Sequence, residues 1–380
     1  MKRIFSFLLA LVPLMAFAQQ FNGSGWYRAQ SQASSRYLSV VDPKKIYRNG
    51  SDVFLGGLNC KEGFNDGDNV VSNPASICWF QQKKVEGQII YINLIGQGLD
   101  FDQRMSGSAS LAIRTYGSGY LLYGSGSGLV RYIYDNQYNS EPYVPYTAAS
   151  GSAAYLWNML PVNDSEGQYF GVLPDVTASA DGSHWATMYA SFPFVPASDM
   201  KVYTVSKVEN GYAVIKEVAG TVPSVTPLLI RCGSASAALN KLSLKAITDS
   251  PAAISGNQLR GNYYCYIDAS RKKEHNVVAY DPATMRMLGT DADGKPAFVK
   301  SDIQYLPANK CYLPVSSSAP ATLKIITEEE YIAGISTVTI DDVQNGLKGV
   351  YTISGQLVGN STDGLSKGVY IVNGKKVVVK

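Results

Sequence analysis

The chain has 380 residues, 46% of them hydrophobic and 17% charged; this excludes disorder and collagen and exceeds what one ordinary core encloses, so about two or three domains are expected. The formal charge of +3, which falls to +1 without Lys2 and Arg3, supplies little attraction to a phosphate backbone, so nucleic acid is not an expected partner. Twenty-six tyrosines against two histidines exclude imidazole-rich metal sites and direct attention to aromatic chemistry.

Lys2 and Arg3 open a secretory pattern: the apolar stretch Ile4–Phe17 follows, and Ala16-Phe17-Ala18 forms a small-x-small cleavage site before Gln19. The stretch has about 14 residues where a membrane span needs about 20, and Pro13 interrupts it. Residues 1–18 are therefore expected to be a signal peptide, leaving a secreted or surface-held mature chain with no membrane span. Of the five cysteines, Cys60 and Cys78 lie in one segment and could bridge after export, while Cys232, Cys265 and Cys311 sit in strand-like surroundings that favour burial. An odd count leaves at least one thiol outside any disulfide, and burial as a small hydrophobe is the alternative for each.

Beyond the leader, helical periodicity is confined to Ala235–Ile247 and to an acidic turn at Glu328, Glu329 and Glu330. Elsewhere, short β-branched and aromatic runs broken by Gly, Asn, Asp or Ser predict strands and hairpins, so the protein reads as mostly β. Trp79-Phe80 precedes Glu86-Gly87-Gln88 and a strand from Ile89; Trp157-Asn158 precedes Glu166-Gly167-Gln168 and a strand from Tyr169. Trp26-Tyr27 begins a third, poorer copy. Such repeated tryptophan strands suit a closed antiparallel architecture, which removes exposed edges.

Between residues 116 and 146 stand eight tyrosines: Tyr116, Tyr120, Tyr123, Tyr132, Tyr134, Tyr138, Tyr143 and Tyr146. Tyrosine offers a flat apolar face and a hydroxyl, which suits stacking on a sugar ring or burying a partner's side chain. Tyr120, Tyr123, Tyr132, Tyr134 and Tyr138, with Asp135 and Asn136 to receive hydroxyl hydrogen bonds, form the expected ligand-binding set. The competing reading is structural, because cross-strand aromatic pairs stabilise sheets without binding anything. Tyr116-Gly117-Ser118-Gly119 and Tyr123–Gly128 are glycine-rich, but no Lys-Ser/Thr or helix follows, so they read as flexible connections rather than phosphate loops.

Further along, Asp181-Gly182-Ser183-His184 brings an acid, a hydroxyl and an imidazole together in sequence, yet neighbours in sequence are not a triad, and a loop histidine is expected. His275 lies in a charged loop. Asn65–Asn69 and Asp291–Gly294 space carboxylates beside glycine as calcium loops do, but the remaining ligands are missing and turn chemistry explains them. The clearest hairpin is Val202–Val208 and Tyr212–Val218 around Asn210-Gly211. Two more close the chain, Val350–Ile353 with Gln356–Val358 and Val369–Val372 with Lys375–Val379.

Three resemblances extend this reading. Asn22–Arg28 through Arg36-Tyr37-Leu38 resembles the opening of β-trefoil modules; the Gln-x-Trp repeats of ricin-type lectins are missing, so the resemblance implies the fold and not those lectins' sugar sites. Met200–Val218, Val222–Ile230, Thr284–Gly289 and Leu306–Leu313 resemble segments of large secreted and surface proteins of the Bacteroidota. Gly349-Val350-Tyr351, Ser354-Gly355-Gln356, Leu365–Val372 and Lys376–Lys380 resemble the C-terminal module of proteins exported by the type IX secretion system, which implies a sorting tag.

The expected organisation is a signal peptide at 1–18, a β-trefoil-like domain at 19–178, a sandwich-like β region at 179–325 and a C-terminal β-hairpin module at 336–380. The expected function is non-catalytic recognition of a glycan or host protein outside the cell, without a cofactor. The alternatives are a secreted hydrolase using paired carboxylates and an architectural surface component.

Overall fold

The computed structural model describes residues 23–39, 47–49, 52–54, 59–61, 70–72, 74–82, 89–92, 98–99, 105–106, 112–126, 129–133, 146–147, 153–163, 168–262, 279–307, 309–332, 349–353, 355–359, 361–362, 364–372 and 375–379. The expected signal peptide, His275, Cys265 and the Asn65–Asn69 cluster lie outside the described residues. The fold is mostly β, arranged in several sheets that include a curled half-barrel.

The half-barrel is built around the strand Gly25–Ser31. One edge pairs antiparallel with Leu156–Pro161, from Tyr27 opposite Pro161 to Ser31 opposite Trp157. The other edge pairs with Cys78–Gln82, placing Trp26 directly opposite Trp79, and then with Tyr37–Ser39. The three tryptophan strands of the sequence repeat therefore lie side by side, with the Trp26 copy in the middle. Leu156–Pro161 continues into Gly119–Gly126 and then Ala112–Tyr116, while Cys78–Gln82 continues into Ile89–Ile92. The outer strands Ile89–Ile92 and Ala112–Tyr116 come back against each other, curling the sheet.

Alternation along these strands sorts side chains to two faces. Tyr27, Ala29, Cys78, Phe80, Ile113, Leu122, Trp157 and Met159 are buried on the inner face, where Tyr27 and Phe80 meet edge to face at 6.0 Å. The Trp157 indole N–H donates to the Ile133 carbonyl at 3.1 Å, giving this fully enclosed ring the polar partner it needs.

Trp26 and Trp79 point the other way, 5.0 Å apart, into a core shared with the second region. That core joins Val71, Ile77, Val162, Phe170 and Val172 to Ala186, Met188, Phe192, Phe194, Val202, Leu228, Ile230 and Leu242. One sheet crosses the same junction: Val70–Val71 pairs parallel with Tyr169–Gly171, which pairs with Lys241–Leu244, which pairs with Phe194–Pro196. Side chains from before and after residue 178 thus pack into one cluster. Sequence pattern could not show this, because each strand's apolar face looks the same whichever neighbour covers it.

The second region is dominated by a sheet of ten strands among the described residues, antiparallel except where Tyr212–Glu217 runs parallel to Thr322–Thr327. The expected hairpin is present as Lys201–Glu209 and Tyr212–Glu217, with Glu209 opposite Tyr212. Asn210 and Gly211 both take positive φ, 51° and 79°, as a tight two-residue turn requires. A bulge between Val205 and Lys207 interrupts its register.

The helix expected over Ala235–Ile247 does not form. A 3-10 turn at Ala237–Leu239 gives way to a strand at Lys241–Leu244 and a second 3-10 turn at Ile247–Asp249. Asn240 ends the first turn: its side-chain amide donates to the Val172 and Ser234 carbonyls and its oxygen accepts from the Ser234 N–H. The segment then satisfies its backbone in the junction sheet, a tertiary pairing that overrides weak local periodicity. The acidic turn does become a helix, Glu328–Ile332, closed by a reciprocal cap in which Thr327 N–H donates to Glu330 and Glu330 N–H donates to the Thr327 hydroxyl.

A further sheet has four strands in the order Leu357–Gly359, Val350–Thr352, Gly368–Val372, Lys375–Val379. Both expected hairpins are present, with Tyr351 opposite Leu357 and Val372 opposite Lys375.

Candidate functional site

The tyrosine segment folds as adjoining hairpin strands, Ala112–Tyr116, Gly119–Gly126 and Leu129–Ile133. The second glycine-rich stretch therefore begins inside a strand instead of forming a flexible connection. The period of two then separates the expected site residues. Tyr120 stands opposite both Thr115 and Trp157 and turns to the inner face, only 8% exposed. Tyr123 and Tyr132 turn to the outer face as a directly opposed cross-strand pair, ring centroids 5.6 Å apart. Tyr120 is thus divided by the sheet from the other two. Tyr134, Asp135, Asn136 and Tyr138 lie outside the described residues.

On the outer face Tyr132 is buried and Tyr123 half-buried, packed with Leu121, Tyr155 and Leu156 in a small apolar cluster. Here the structural role of a cross-strand aromatic pair is realised, contributing about 0.2–1 kcal/mol. Arg114, which sequence reasoning did not single out, lies over this pair. Its guanidinium carbon is 5.6 Å from the Tyr123 ring centre and 5.1 Å from that of Tyr132, and its Nη2 donates to the Tyr132 hydroxyl at 2.7 Å. Cation–π contact at such an exposed position contributes about 0.5–1 kcal/mol. The only sequence signal for Arg114 is its spacing of two from Tyr116, which becomes informative once Arg114 is known to face Leu121 across the ladder.

Tyr116 shares the outer face and is 45% exposed, standing opposite Gly119 at the end of its hairpin. Gly119 matters by lacking a side chain: a Cβ there would lie 2.5 Å from the Gln32 amide nitrogen. Gln32 is drawn over the glycine by donating to the Ser118 carbonyl at 3.1 Å and to Asn158 Oδ1 at 2.8 Å. The result is an exposed outer patch with Arg114 and Tyr116 on one strand, the edge of Tyr123 beside them and the Gln32 and Asn158 amides across Gly119.

The other sequence candidates resolve as structure. Asp181 accepts from both the N–H and the hydroxyl of Ser183, at 2.9 and 2.7 Å, which holds its carboxyl below the usual range. The Ser183 hydroxyl also accepts the Trp185 indole N–H at 2.8 Å. His184 is not in a loop: it is the first residue of the strand His184–Met188, and its Nδ1 is 2.9 Å from the Thr177 hydroxyl. Alternation directs Ser183 and His184 to opposite faces, so no triad forms. Asp291 spends its carboxylate on the N–H groups of Asp293 and Lys295, which is hairpin-turn chemistry.

Cys232 and Cys311 are buried, and burial pushes both thiols up to about 12. The Cys311 thiol donates to the Met188 carbonyl at 3.1 Å. A protonated, enclosed thiol is a poor nucleophile. Among the described residues, no three His, Cys, Asp or Glu side chains converge as a metal set, and no helix is long and apolar enough to cross a membrane.

No family model matches the chain, and neither a curated protein nor a solved structure matches it.

Proposed function

We propose that this is an exported, non-catalytic binding protein of the cell exterior that recognises a glycan or a host protein through the outer face of its half-barrel. The observation that carries the reading is the placement of Arg114 and the exposed Tyr116 on one strand beside the cross-strand Tyr123–Tyr132 pair. An aromatic surface with a fixed polar fringe binds by contact and needs no activated nucleophile. The commitment of Ser183 to Asp181 and Trp185, facing away from His184, supports a non-catalytic role.

The leader at residues 1–18 supports export, and the resemblances support a Bacteroidota surface protein with a sorting module at 336–380. Three adjacent tryptophan strands support a trefoil-like first region, and the long antiparallel run of the second sheet supports a sandwich-like middle region.

The test is a glycan and host-protein array probed with the chain beginning at Gln19, alongside Arg114→Ala and Tyr116→Ala. Retention of a ligand by the parent and its loss in both variants is expected, with Tyr116→Ala as stable as the parent and Arg114→Ala lower in melting temperature by no more than about 2–4 °C. A parent that retains nothing, or variants that retain it fully, overturns the reading. Deleting residues 336–380 should redirect the protein during export, and unchanged location ends the sorting role.

A further inference from the structure

Resting on that reading of the outer face, we propose that the ligand is an anionic sugar, whose acid group pairs with Arg114 while its ring stacks on Tyr116.

Arg114 carries five N–H donors in a rigid plane, and the Tyr132 hydroxyl takes one of them. The two tyrosine rings hold that plane in place, so little side-chain freedom remains to be lost when a ligand binds. No carboxylate of a described residue neutralises Arg114. Lys201 and Lys310, by contrast, are paired, with Glu217 at 2.8 Å and Asp175 at 2.6 Å. An oriented guanidinium with open donors is matched by a planar carboxylate or by a sulfate.

The sugar component follows from the neighbours. Tyr116 lies two residues along the same strand and face, about 7 Å from Arg114 by strand rise. A pyranose stacked on the Tyr116 ring, with an exocyclic acid directed along the strand, spans that distance. Asn158 follows Trp157, which pairs with Tyr120, and so lies level with Gly119 and Tyr116. Its Oδ1 accepts from Gln32 at 2.8 Å, so the donors it could offer a ring hydroxyl are its amide N–H groups. Charge, flat ring and amide therefore lie in one patch, with Gln32 fixed over Gly119 as its floor.

The experiment titrates the chain beginning at Gln19 with oligogalacturonate, its neutral methyl ester, a sulfated oligosaccharide and an acidic peptide. Oligogalacturonate or the sulfated sugar should bind, and which of them binds identifies the acid. The methyl ester should bind at least about tenfold more weakly than the free acid, the size of a lost charge-assisted hydrogen bond. Arg114→Ala and Arg114→Gln should each lose at least about tenfold in affinity while lowering the melting temperature by no more than about 2–4 °C, the size of the lost Tyr123 and Tyr132 contacts, and binding should weaken with added salt. Equal affinity for acid and ester, full binding by Arg114→Gln, or binding of the peptide alone overturns the inference. If a neutral glycan binds and only Tyr116→Ala removes it, the anionic sugar fails while the binding role stands. If neither any glycan nor any host protein binds, both fail.

Discussion

The indole N–H of Trp26 donates to the carbonyl oxygen of Lys245 across 2.7 Å, joining residues 219 positions apart in the chain. Trp26 also packs edge to face on Trp79 at 5.0 Å and on Phe192 at 5.8 Å, so one side chain ties the half-barrel to the core of the second region. Trp26→Phe keeps most of the packing and leaves the Lys245 carbonyl without this donor, which should cost about 1–3 kcal/mol. Trp26→Ala should cost about 3–5 kcal/mol. Urea denaturation followed by circular dichroism measures both, and a Trp26→Phe variant as stable as the parent removes the hydrogen bond from the account.

The shared core also predicts cooperative unfolding. Trp157 reports on the half-barrel and Trp185 on the second sheet. Within each variant that retains only one of these two tryptophans, the urea midpoint by fluorescence should coincide with that by far-ultraviolet circular dichroism. Separated midpoints would show that the two regions unfold independently despite the shared core.

Arg286 is fully buried and satisfied by carbonyls: Nε donates to Pro320 at 2.9 Å, Nη1 to Pro282 at 2.9 Å and Met285 at 2.8 Å, and Nη2 to Ala319 at 3.0 Å. A fork is needed to reach two loops at once. Arg286→Met should destabilise by about 3 kcal/mol or more, because it leaves several buried carbonyls without these donors. Arg286→Lys should also destabilise, by about 2 kcal/mol, since a single ammonium cannot span both sets of acceptors. A lysine variant with the parent's denaturation midpoint would show that charge alone suffices.

Alkaline pH should weaken the fold. Burial raises the Cys232 and Cys311 thiols from an ordinary 9.0 to about 12, and the Tyr189 hydroxyl from 10.0 to about 12. The unfolded chain releases these protons first, so the stability they contribute is whole below about pH 9 and is lost as pH rises toward 12. Each thiol should contribute a slope of up to about 1.4 kcal/mol per pH unit in that window. Cys232→Ala with Cys311→Ala should flatten the profile, and an unchanged slope would assign the loss to other groups.

The helix Glu328–Ile332 is too short to hold itself and relies on the Thr327–Glu330 cap and on Tyr331, whose hydroxyl donates to Glu209. Thr327→Ala should cost about 1 kcal/mol and speed amide exchange across residues 328–332. Exchange unchanged from the parent would show that the Tyr331 contact holds the helix unaided.

The hairpins were legible because turn chemistry is local: Asn210-Gly211 carries its conformational preference within two residues, and the β-branched runs on either side need only a partner strand. The failed helix at Ala235–Ile247 and the overlooked Arg114 have a common origin. Strand Lys241–Leu244 is stabilised by Phe170 and Phe194 strands far away in sequence, and Arg114 acquires its meaning from Tyr132 across two ladders. The tyrosine cluster was visible as composition, but its division between an inner and an outer face depends on register, where one step reverses every side chain.

Composition, turn residues and period-two patterning thus determined by themselves that the described residues fold as short, predominantly antiparallel strands with tight turns between them. Tertiary structure alone decided that the two main regions share a core and that Arg114 meets Tyr123 and Tyr132 on an exposed face. The physical reason is that turn and strand preferences act over a few neighbouring residues, whereas burial and cross-strand contact are set by which distant segments close onto one another.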